Sequence, residues 1–313
     1  MNKLIRATAA LFVAFVAARP SIVFGDDTTN PTPPSSDSTA TPPAASDDKS
    51  QYTLFNPTPE DLLRSMDTDR PNVTNTPHTI DAGHLQIETG IIDYTYFRDR
   101  SAGVNVRNDF FDFGQFNFRL GVLNNLEINA VVDAVDVNEF QDYSARTQFR
   151  AASFGDTIIG AKLNLWGDDG DDSDWATALA IQPQFKIPTA RDTVGNGRFE
   201  LAVPFPFLMN LPDGFHLGLQ PGVEYERNSI DTGYVAGFPM SISVDRDVIG
   251  DLDVYVEYAC DPTTEMHVQT QQTLDVGGTY PLNENIVLDT GLNFGLNRQS
   301  NNIEVLAGVS MRF

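Results

Sequence analysis

Ile303-Glu304-Val305-Leu306-Ala307-Gly308-Val309-Ser310-Met311-Arg312-Phe313 stands at the end of the sequence, and its two interleaved sets of side chains decide the fold class. Ile303, Val305, Ala307, Val309, Met311 and Phe313 fall on one side of an extended chain. Glu304, Leu306, Gly308, Ser310 and Arg312 fall on the other. A period of two with one apolar face is the signature of a strand whose faces meet different surroundings. Working back toward the N-terminus, the pattern recurs. Ile286, Leu288, Thr290, Leu292 and Phe294 alternate with Val287, Asp289, Gly291, Asn293 and Gly295. Leu252, Val254, Val256 and Tyr258 alternate with Asp251, Asp253, Tyr255 and Glu257, and Leu126, Ile128, Ala130 and Val132 with Glu127, Asn129, Val131 and Asp133.

About twelve strands are predicted on this basis, starting near His84, Phe110, Leu126, Asp156, Trp175, Phe199, Phe215, Tyr234, Asp251, Thr270, Asn285 and Asn302. Ile91-Ile92 breaks the alternation of the first, as a bulge would. Pro204 and Pro206 remove ladder donors from the sixth.

Alternation alone does not separate an apolar face turned to lipid from one turned to a soluble core. Segment length favours the membrane. Most segments are longer than the roughly five or six residues of ordinary strands and suit the ~9 to 11 needed to cross a bilayer at a tilt. Polar and charged residues dominate the second face, which a wet lumen accepts and a dry core does not. Alternate connections are short: Leu123 to Asn125, Gly167 to Asp174, Asn210 to Gly214, Asp247 to Gly250 and Pro281 to Glu284. Those between them, Arg98 to Asp109, Asn138 to Gly155 and Pro188 to Arg198, are read as longer loops. Such parity is expected of an all-β, single transmembrane antiparallel up-and-down β-barrel with an even strand number. Trp166 and Trp175 beside one short turn fit an interfacial girdle.

The inward-facing charges of such a barrel are Arg119, Glu127, Lys162, Lys186, Glu224, Glu226, Asp253, Glu257, Asp289, Glu304 and Arg312. Rings of one sign would bias permeation, and mixed signs would pair across the lumen. Both readings stay open at the level of sequence.

Ahead of the barrel, taken as 84–313, three segments differ in composition. Lys3 and Arg6 precede the apolar run Ala7 to Ala18, and Val23-Phe24-Gly25 ends in a small residue, so 1–25 reads as a signal peptide. Residues 26–50 are rich in Pro, Ser, Thr, Ala and Asp, and read as a disordered spacer. Residues 51–83 read as a periplasmic segment. Within them Thr58, Pro59, Leu62, Leu63 and Met66 form a short helical pattern, and the stretch is also a candidate plug.

Losing Lys3, Arg6 and Arg19 with the leader would deepen the formal charge from −23 to −26, which argues against a nucleic-acid partner. Cys260 is the one cysteine, so neither an internal disulfide nor a lipid-bearing cysteine after the leader is expected. The acidic run Asp168 to Asp174 lacks the spacing of a calcium loop and reads as a solvated turn. His78, His84, His216 and His267 are scattered, and no metal or cofactor is expected. Val194-Gly195-Asn196-Gly197 lacks the Lys-Ser/Thr of a phosphate loop, and Gly-x-Ser-x-Gly is absent, so the motifs do not suggest an enzyme.

Two resemblances add to this reading. Gly308 to Phe313 resembles the last strand of outer-membrane barrels, in which a terminal Phe is read by the barrel-assembly machinery; Phe313 is the corresponding assembly signal. Met66 to Thr74, Ile80 to Glu88, Arg119 to Glu127 and Gly155 to Lys162 resemble parts of the transporter family named for the MetA pathway of phenol degradation. That resemblance implies an outer-membrane, channel-like protein without catalytic residues, admitting small apolar or aromatic solutes, with outer-membrane lipid as its surroundings. A barrel that conducts nothing and serves a structural or surface-binding role is the second reading, and a secreted β-sandwich the third.

Overall fold

The structure, a computed structural model, describes residues 49–313 apart from 102, 172, 192, 193 and 231. The signal peptide and nearly all of the spacer therefore lie outside the described residues. Sixteen strand segments form one sheet: β1 (Leu85–Asp99), β2 (Val106–Leu123), β3 (Leu126–Asp142), β4 (Thr147–Ser153), β5 (Thr157–Trp166), β6 (Thr177–Ile181), β7 (Gln184–Ile187), β8 (Glu200–Pro204), β9 (Phe207–Leu211), β10 (Phe215–Arg227), β11 (Tyr234–Gly237), β12 (Met240–Ile249), β13 (Leu252–Asp261), β14 (Gln271–Asn283), β15 (Ile286–Gly295) and β16 (Ile303–Arg312). Four pairs, β4 with β5, β6 with β7, β8 with β9 and β11 with β12, are halves of single staves. The result is a closed antiparallel barrel of twelve staves, the class expected. Closure is made by β1 against β16, with Phe313 and Leu85 exchanging backbone hydrogen bonds of 2.8 and 3.1 Å. A closed ladder leaves no unpaired edge in lipid.

The wall has the polarity of a membrane barrel. Ile128, Ile159, Leu201, Val223, Ile242, Leu288 and Val305 are exposed on its outer face, whereas Arg119, Glu127, Lys162 and Asp275 are wholly buried on its inner one. Aromatic pairs ring the end of the longer loops: Phe140 with Phe149, Phe185 with Phe199, and Tyr225 with Tyr234. Trp166, Trp175 and Phe313 are exposed at the end of the short turns. The slip at Ile91-Ile92 is a register shift between Gly90 and Ile92, with both isoleucines outward.

The broken staves have a common cause. Pro183, Pro204, Pro206, Pro221, Pro239 and Pro262 lie in one band crossing five neighbouring staves. Their carbonyls still accept, from Ala161, Gln182, Ala180, Phe205, Gly222 and Phe238 respectively, at 2.7 to 3.1 Å. A proline has no N–H to return the bond, so each junction in the band loses one ladder bond.

Two expectations need correction. The loop read over Asn138 to Gly155 is mostly strand: β3 continues to Asp142 and β4 starts at Thr147, with Glu139 beside Arg150 and Phe140 stacked on Phe149. The helical pattern at Thr58 to Met66 yields only the 3₁₀ turn Glu60–Leu62, whose N-cap Pro59 has no capping side chain. One turn without a cap has too few hydrogen bonds to propagate.

Candidate functional site

Residues 64–82 run inside the barrel without regular secondary structure. Their backbone donors therefore need partners other than one another, and the wall supplies many of them. Glu88 accepts from the Asp69 N–H at 3.1 Å, and Glu257 from the N–H groups of Val73 and Thr74 at 2.7 and 2.8 Å. Gln220 accepts from Asn75 at 2.9 Å, Asp168 from Thr79 at 2.8 Å and Glu127 from Ile80 at 2.9 Å. In the other direction, Arg119 donates to the carbonyl of His78, Asn164 to that of Pro77 and Arg312 to that of Arg64. The wall makes room at Gly121, where a Cβ would stand 2.1 Å from the carbonyl oxygen of Asp81.

Two groups of charges hold the segment. In the first, Arg119 lies 2.8 Å from Glu127, 2.7 Å from Glu88 and 3.6 Å from Asp69, and Lys162 lies 2.6 Å from Asp69. The side chains of Arg119, Lys162, Glu88 and Glu127 are all fully buried. Ions removed from water persist only when paired and hydrogen-bonded, and here Asp69 of the segment completes the pairing. In the second, Arg70 of the segment takes Asp93 with two bonds of 3.0 and 3.1 Å and reaches Asp289 at 3.3 Å. Those carboxylates hold the Arg70 guanidinium well above its ordinary value despite its burial.

Toward the short turns the lumen opens into a cavity of about 950 Å³, lined among others by Asp67, His78, Asp168, His216, Asp245 and Tyr255. Asp67 is deep within the fold, yet 43% of its side chain faces this cavity. Burial pushes its carboxyl up, but His78 at 2.8 Å and the Thr76 hydroxyl outweigh that and hold it at about 2. Asp168 is not the solvated residue expected of the acidic run. It is buried against Thr79 and 3.3 Å from Arg64, and burial raises its carboxyl in spite of both.

Of the eleven charges singled out in the sequence, Arg119, Glu127 and Lys162 meet in the first group, Asp289 joins the second, and Glu257 and Arg312 hold the segment's backbone. Lys186 is placed apart, 2.6 Å from Glu200 and 3.4 Å from Asp156. Glu224 packs against the backbone of Gly237, Glu226 follows it two residues along the same strand, and Glu304 accepts from Asn293. Asp253 is grouped with His216 and Asp245 at the cavity. Sequence reasoning missed Glu88, Asp69, Arg70 and Asp93. Glu88 was legible from Gln86 and Glu88 alternating with Leu85, Ile87 and Thr89 before the bulge; Asp69 and Arg70 lie in a stretch with no period to read.

The family described as "Putative MetA-pathway of phenol degradation" matches residues 68–313. The chain belongs to this family. Because the match begins at Thr68, the family's pattern in this MetA-pathway barrel takes in Asp69 and Arg70 as well as the wall. No curated relative matches the chain. Among solved structures, an outer membrane channel from Pseudomonas putida F1 is similar with a TM-score of 0.55 at 10% identity, covering 74% of this chain and 95% of that one. The transport unit of the autotransporter AIDA-I from Escherichia coli gives 0.47 at 10% identity, covering 74% and 89%. The KdgM porin gives 0.40 at 12%, covering 71% and 98%. At these identities the likeness is one of fold.

Proposed function

We propose that this barrel is an outer-membrane channel for passive passage of small solutes, with residues 64–82 setting the width and polarity of the path. The observation that carries the proposal is the threaded lumen. A wall whose carboxylates accept from a segment lying across the barrel leaves a narrow route, and the cavity of about 950 Å³ serves as its vestibule. The acidic lining disfavours anions. Small neutral molecules, including the aromatic solutes that the family name suggests, are the cargo this arrangement suits best. The short turns and both termini of the barrel's chain then face the periplasm, and the longer loops face outward.

Catalysis has little support in this lumen. Thr76, His78 and Asp67 come together, but both the hydroxyl, at 3.4 Å, and the carboxylate, at 2.8 Å, address the same Nδ1. A relay needs the acid and the nucleophile on opposite ring nitrogens. The decisive experiment compares uptake of a radiolabelled phenol-sized aromatic and of a dianion of similar size by cells with and without the protein in an otherwise tight outer membrane. Faster entry of the aromatic alone is expected. Equal rates for cells with and without the barrel would favour the structural, non-conducting reading.

A further inference from the structure

On the inner wall above the threaded segment, a row of carboxylates crosses three staves: Asp93 of β1 is paired with Asp112 of β2, and Asp112 with Asp136 of β3. Asp133 lies three residues along β3, opposite Gln115. Like charges directly across a strand pair repel, so the row needs positive charge. Arg70 supplies it to Asp93. Among the described residues no Lys or Arg pairs with Asp112, Asp133 or Asp136.

These three offer carboxylate oxygens that all lie within 4.8 Å of one another. Asp112 and Asp136 are only 7% and 5% exposed, and Asp112, Asp133 and Asp136 each keep one buried oxygen without a hydrogen-bond partner. The Gln115 amide donates to Asp112 at 3.3 Å. The backbone at the junction of β4 and β5 is shaped to this group: a Cβ on Gly155 would stand 2.4 Å from the Asp136 carboxylate and 2.5 Å from that of Asp133. Buried oxygens without partners are costly, and carboxylates gathered this closely are an arrangement that a bound cation relieves.

We propose that Asp112, Asp133 and Asp136 bind a divalent cation of the calcium type. The donor set is entirely oxygen, without His or Cys, which selects a hard ion over a transition metal. Calcium tolerates the irregular geometry that three carboxylates on a strand wall offer, whereas magnesium demands a near-ideal octahedron. The bound ion ties β2 to β3 and, through Gly155, to the fourth stave. It stabilises the wall on the side of the longer loops, independently of what the channel carries.

The test uses the full-length barrel folded in detergent, stripped with a chelator and titrated with calcium chloride, with magnesium chloride as comparison. Binding is followed by calorimetry and heat stability by gel mobility. The site predicts one calcium equivalent that Asp112→Asn/Asp136→Asn removes and that His216→Ala/Asp253→Asn at the cavity leaves in place. It also predicts that calcium raises the melting point of the wild type and not of Asp112→Asn/Asp136→Asn, while that variant, relieved of repulsion, is at least as heat-stable as the stripped wild type. Absence of calcium binding to the wild type at millimolar concentration, or an unchanged equivalent in Asp112→Asn/Asp136→Asn, overturns the proposal.

Discussion

Arg119 joins wall to segment, since one guanidinium bonds Glu88 and Glu127 of the wall and reaches both Asp69 and the His78 carbonyl of the threaded chain. Arg119→Leu leaves Glu88 and Glu127 buried with one cation fewer, and removing one partner of a buried ion pair costs about 3–5 kcal/mol. The variant is expected to lose its heat-modifiable gel shift at a clearly lower temperature than the wild type, and an unchanged midpoint would contradict this role. Asp67 supplies a second prediction. Its folded value of about 2 lies below the ordinary 3.8, so the tie to His78 stabilises the fold above about pH 4 and is lost as the pH falls toward 2. In His78→Ala, the Asp67 carboxyl should titrate nearer 3.8, measurable by NMR of the labelled side chain. At this scale legibility in the sequence depended on period: Arg119, Glu127 and Lys162 sit in clean alternation, whereas Asp69 and Arg70 sit between Pro71 and the end of a failed helical pattern. Asp112 was obscured because Gly114, with φ of 77°, disturbs the alternation beside it; Asp133 stood in the alternation from Leu126, but Asp136, three residues on, is out of phase with it.

Among the elements, the segment 64–82 depends on the wall for hydrogen bonds, and the wall depends on Gly121 for the close approach at Asp81. Gly121→Ala places a methyl where the Asp81 carbonyl now lies. We expect the barrel to assemble and the segment to become cleavable: limited proteolysis should remove residues before β1 faster than in the wild type, while the barrel fragment persists. Equal cleavage rates would show that the approach is not tight. Strand positions were readable because lipid on one side and polar lumen on the other impose a period of two. The hairpin that continues β3 to Asp142 and β4 from Thr147 was less readable. There the polar sequence Asn138 to Asp142 is held by cross-strand pairs such as Glu139 with Arg150, and pairs of that kind leave no apolar stripe.

For the whole molecule, closure of β1 on β16 brings Phe313 against Leu85, and the residue whose alternation first indicated a strand also completes the ring. The composition of the inner face was legible; that a stretch without period would cross the lumen was not, because its partners are polar groups scattered over the staves from β1 to β16. The central claim is that this stretch narrows the path. Single-channel conductance in planar bilayers tests it most directly, comparing the wild type with Arg70→Ala/Glu257→Gln, which loosens the segment from Asp93, Asp289 and the backbone of Val73 and Thr74. A small, cation-preferring conductance that grows severalfold in the variant is the predicted result, and a wide wild-type pore with the same conductance in both would contradict it.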